Sequence, residues 1–100
     1  MKRIKKLVHK IDEELCGAEH YAEKAIEYKA DGDNEMYRKF SQMASEELSH
    51  AMTIHEIAVR EIDKVSAVIT PPAEMREQWE LAHQNCIERA AKIKSYISMS

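Results

Sequence analysis

The chain has little of what turns or breaks a polypeptide. Its 100 residues include two Gly and two Pro, too few for the many turns of a sheet protein. Cysteine is scarce too. Cys16 and Cys86 lie far apart and match no zinc or redox spacing. Both fall within helical patterns, so both are expected to be small buried hydrophobes. No apolar run approaches the roughly 18 residues of a membrane span, and no membrane role is expected. Neither charge sign dominates. The net charge of −3 is spread along the chain and leaves no electrostatic footprint for nucleic acid. The start is basic but lacks the apolar stretch of a secretory signal, which makes a cytoplasmic protein the expectation. There is no Gly-rich phosphate loop, zinc motif or Ser/His/Asp order.

What is present suits long amphipathic helices. Charged residues make up 33% of the chain and apolar ones 44%. Three helical patterns, at about 4–30, 35–66 and 71–97, fit one domain of residues 1–100. Asp31-Gly32-Asp33-Asn34 separates the first two. Gly32 suits a left-handed C-terminal cap, and Asp33 or Asn34 suits the next N-cap. So short a link forces an antiparallel hairpin. Thr70-Pro71-Pro72 makes the second break, with Thr70 as N-cap and Pro71 at the first helical position. The stretch 65–69 fits either an extension of the second helix or an apolar linker. The basic start of the first helix should lie beside Glu61 and Asp63 at the end of the second. The fold class is all-α, an antiparallel hairpin plus a third helix.

Polar residues interrupt the apolar stripes at one height. Glu19 stands in a stripe of Ile4, Val8, Ile11, Leu15, Ala22 and Ile26. Glu47 stands in one of Tyr37, Phe40, Ala44, Ala51, Ile54 and Ala58, and His50 follows one turn later. The hairpin centre falls between Gly32 and Asp33, so Glu19 is 13.5 residues before it and Glu47 is 14.5 after it. That mismatch is about 1.5 Å of helix rise. A carboxylate turned toward a core needs a partner, and hard iron or manganese prefers carboxylate oxygen with an imidazole beside it. Glu19, Glu47 and His50 are therefore the expected metal ligands and catalytic residues, with Glu14 in reserve. One hairpin offers two Glu and one His. Two hairpins offer the four Glu and two His of a ferritin-like di-metal site, so the deficit predicts a homodimer with the site at its interface.

The second Glu-x-x-His, Glu80 with His83, does not complete the site. His83 falls level with about position 56, roughly 13 Å from Glu47. It should instead approach His55, with His9 at that level on the first helix. Three separate histidines, rather than a second site, are the expectation there.

Glu46-Glu47-Leu48-Ser49-His50-Ala51-Met52-Thr53, across a short loop from a helix-one Glu, resembles the encapsulated ferritins. More distantly it is similar to rubrerythrins, through Gly17-Ala18-Glu19. The resemblance covers residues 15–60. It implies a ferritin-like four-helix bundle completed by dimerisation, a di-iron ferroxidase centre at the interface with Glu19, Glu47 and His50 as ligands, and a higher homo-oligomer. It makes an encapsulin shell a candidate partner, although residues 95–100 carry no Gly/Leu-rich targeting tail. It does not extend to the Cys-rich iron domain of rubrerythrins. Iron is the expected cofactor, with manganese as the alternative, and ferroxidase-type oxidation the expected activity. The alternatives are a metal-free helical scaffold or interaction protein, and a ferritin-like fold with a purely structural metal.

Overall fold

The computed structural model describes residues 2–70 and 73–98. They form three helices, α1 (Lys2–Ala30), α2 (Asn34–Val68) and α3 (Ala73–Ser98). No strand occurs among the described residues, and no helix is long and apolar enough to cross a membrane. The helix bounds lie within two residues of those expected. The expected start of α3 at Pro71 lies outside the described residues. Residues 65–68 continue α2, and the Ile69 N–H closes the helix on the Val65 carbonyl at 2.9 Å.

The first turn forms as its residue types dictate. Gly32 adopts φ +79°, a left-handed conformation that side chains resist. Its N–H reaches the Lys29 carbonyl and that of Asp33 reaches the Tyr28 carbonyl, the paired bonds of a glycine-terminated helix. Asp33 then caps α2, its carboxylate accepting from the Met36 N–H at 3.1 Å. The chain reverses, and Arg3 near the start of α1 meets Glu61 near the end of α2 at 3.5 Å.

The core is narrow. Among the described residues, seven of the fourteen buried hydrophobic ones are alanines, Ala18, Ala22, Ala25, Ala44, Ala51, Ala58 and Ala90. Leu15 and Ile93 are the largest fully buried side chains. Small side chains let α1 and α2 approach closely, and that hairpin is the main contact of the molecule. α3 packs more lightly, through Cys86, Ala90 and Ile93. Two polar links between α2 and α3 fix their antiparallel order: the Tyr37 hydroxyl donates to the Ile97 carbonyl at 3.1 Å, and His55 meets His83. The result is a rod of 55 × 17 × 17 Å. Its radius of gyration is 16.1 Å, against about 13 Å for a compact domain of this length.

Candidate metal centre

Glu14, Glu47 and His50 form the centre. On α1 the buried stripe includes Leu15 and Ala18, and on α2 it includes Leu48 and Ala51. Glu14 and Gly17 directly precede the first pair, and Glu47 and His50 directly precede the second. One residue turns a helix by about 100°, so all four stand on the same flank of their stripes. In an antiparallel pair those flanks open on one side of the hairpin. The three side chains meet there, each with one ligand atom within 4.8 Å of the others. His50 Nδ1 is 3.8 Å from Glu14 Oε2 and 3.8 Å from Glu47 Oε1.

Gly17 makes room for them. A methyl group there would lie 2.9 Å from Glu47 Oε2, closer than real contacts allow. A glycine in mid-helix weakens the helix by about 1 kcal/mol relative to alanine, and here the missing side chain seats a carboxylate.

The two carboxylates are mostly shielded, with side chains 14% (Glu14) and 29% (Glu47) exposed. Each alters the other's hold on a proton. Glu47 is pushed above the ordinary carboxyl range, first by its hydrogen bond to Glu14 and then by burial. Glu14 is held below that range, first by the same hydrogen bond and against the effect of burial. Lys10 sits 3.4 Å from Glu14 Oε1 and is pushed upward by that contact. The groove thus draws the Lys10 ammonium toward its negative charge.

Glu19, expected as a ligand, is not in this cluster. It directly follows Ala18 and so lies on the other flank, about 140° around α1 from Glu14. Arg89 of α3 binds it there through Nε, and also binds Asp12 and the Cys16 sulfur. Asp12, Cys16 and Glu19 all directly follow buried residues, so α3 occupies that side of the hairpin and the Glu14 side faces away from it. Cys16 is correspondingly exposed, contrary to expectation, whereas Cys86 is buried. The Arg89 pKa is raised, because its contacts with Glu19, Asp12 and Cys16 outweigh its desolvation.

The remaining histidines follow the levels read from the sequence only in part. His55 Nε2 lies 2.7 Å from His83 Nδ1. His9 is instead paired with Glu13 at 2.9 Å. Burial, then the neighbouring His83, pushes the His55 pKa below its usual value.

The donor set suits a hard or borderline divalent ion. An octahedral ion with ligands at about 2.1 Å holds donors about 3.0 to 4.2 Å apart. The 3.8 Å separations lie between the adjacent and opposite spacings, so the side chains would close in by about 1 Å to act as adjacent ligands. No protein-family profile matches the chain, no curated protein is significantly similar to it, and no solved structure matches it.

Proposed function

We propose that this chain is a metal-binding ferritin-like protein in which Glu14, Glu47 and His50 hold iron, or manganese, at a homodimer interface. The observation that carries this reading is the convergence of the Glu14 and Glu47 carboxylates and the His50 imidazole, one ligand atom of each within 4.8 Å of the others. Such a pair is costly unless a cation neutralises it. Glu14 takes the place expected of Glu19, and the count is unchanged: two Glu and one His per chain, four Glu and two His per pair. The side that carries the cluster also carries Met43 and Ile57, 37% and 45% exposed. Each directly precedes a buried alanine, as the ligands precede theirs. That apolar margin supports a second hairpin packing there.

Iron held there would supply one-electron redox chemistry toward an oxidant such as dioxygen or peroxide. The side chains do the rest. Glu47, which holds a proton more tightly than an ordinary carboxyl beside Glu14, would have to release it to ligate a cation. Glu14 exchanges the Lys10 ammonium for the ion. His50, already neighbour to both carboxylates, supplies a neutral nitrogen. Lys10 then stands where it can offset negative charge at the rim.

The Lys10 contact with Glu14 and the raised proton affinity of Glu47 favour a second reading, a metal-free helical scaffold in which they neutralise the groove. Anaerobic Fe(II) titration of the chain and of Glu47→Gln separates the two. The first reading expects tight binding that falls by about a hundredfold or more in Glu47→Gln, since loss of an outer-shell partner alone costs about 10- to 100-fold. It also expects Glu19→Gln to bind normally, and Fe(II) oxidation faster than in buffer. Absent binding favours the scaffold, and binding unchanged in Glu47→Gln would rule out Glu47 as a ligand. Binding without faster oxidation assigns the metal a structural role.

A further inference from the structure

A second polar cluster stands apart from the carboxylates. His55 of α2 and His83 of α3 face each other, with ring nitrogens 2.7 Å apart and ring planes tilted by 33°. Trp79 leans on both rings at 5.3 and 5.9 Å between centroids. A cavity of about 310 Å³ opens beside His55 and is also lined by His9, Asp12, Trp79 and Asn85.

We propose that His55 and His83 form a second metal site, a two-imidazole clip for a borderline-soft divalent cation such as Cu²⁺ or Zn²⁺ that ties α2 to α3. The donor type fits, because imidazole suits copper and zinc whereas carboxylate suits harder ions. The two sites therefore prefer different metals, and this one does not depend on the function proposed for the first.

The spacing fits as well. With metal–nitrogen bonds of about 2.0 Å, neighbouring corners of a square arrangement lie about 2.8 Å apart, and copper(II) favours that arrangement. The rings at 2.7 Å need to pivot, with little movement of the helices. The hydrogen bond between the neutral rings holds one proton, carried by whichever ring donates. When a cation binds, that ring moves its proton to its other nitrogen, so both facing nitrogens present lone pairs. No proton need be released. The cavity beside His55 gives water access to the remaining coordination positions. His9 and Asp12 are engaged elsewhere, by Glu13 and Arg89 respectively, so the clip is built of two side chains rather than four.

Trp79 is the chain's one tryptophan and reports directly on the site, because bound copper(II) quenches a touching indole. The test is Cu²⁺ titration of the natural chain, followed by Trp79 fluorescence and by electron paramagnetic resonance. The proposal expects one Cu²⁺ per chain to quench Trp79, with two nitrogen donors in the resonance spectrum. His55→Gln and His83→Gln should each weaken the quenching by at least about tenfold, since even an outer-shell partner is worth that much. His50→Gln should leave it intact. Quenching that survives both substitutions, that disappears equally in His50→Gln, or a spectrum of the natural chain with fewer than two nitrogen donors would overturn the proposal. The spectrum needs no variant, so misfolding of a substituted chain cannot hide the answer.

Discussion

Gly17 sets stability against binding at a single position. Its missing side chain seats the Glu47 carboxylate, 2.9 Å from where a Cβ would stand. Alanine there favours the helix by about 1 kcal/mol, and the atom in its way is the far end of a flexible side chain. Gly17→Ala should therefore raise the stability of the metal-free chain by up to about 1 kcal/mol. It should also weaken metal binding, because Glu47 must leave its seat. Urea denaturation and metal titration of the same variant check both signs, and a gain in affinity would contradict the placement of Glu47. Glu47 and His50 were legible in the sequence as an interruption of an apolar stripe. Glu14 was legible only as a reserve, because height along the hairpin sets Glu19 opposite Glu47 and sets Glu14 opposite His50, one turn further along. Rotation decides between them, since Glu14 precedes a buried residue and Glu19 follows one. The pairing of Glu19 with Arg89 had no sequence signal, as it depends on which side of the hairpin α3 takes.

At the scale of elements, the helices were written in residue types whose physics is local. Gly32 and Asp33 stop one helix and start the next. The level of His83 with His55 followed from counting residues. The contact between α2 and α3 carries a pH dependence. His55 is pushed below its usual pKa of about 6.5 by burial, then by His83, with Glu56 acting in the opposite direction. The unfolded chain thus holds more protons than the folded one in the window below about 6.5, and stability falls as pH falls through it. His9 and Asp12 line the cavity beside His55, but each is held by its own partner. Denaturant midpoints should therefore drop between about pH 7 and pH 5, and more steeply in the natural chain than in His55→Gln. Equal slopes would show that His55 is not the group concerned.

For the whole molecule, the rod shape and narrow alanine core leave one long side of the hairpin uncovered. The accessible surface is 6616 Å², against about 5,800 Å² for a compact monomer of this mass. Two copies joined over the Glu14, Glu47 and His50 side would cover Met43 and Ile57 and bring two half-sites together. Removal of metal should therefore loosen the pair as well as empty the site, since binding to the assembled form alone shifts the association equilibrium. Native mass spectrometry of the chain loaded anaerobically with Fe(II) measures copies and ions together. The expected result is a dimer, or a multiple of one, with two ions per pair, both lost in Glu47→Gln. A monomer without metal, or an assembly whose size and metal content are unchanged in Glu47→Gln, would contradict it.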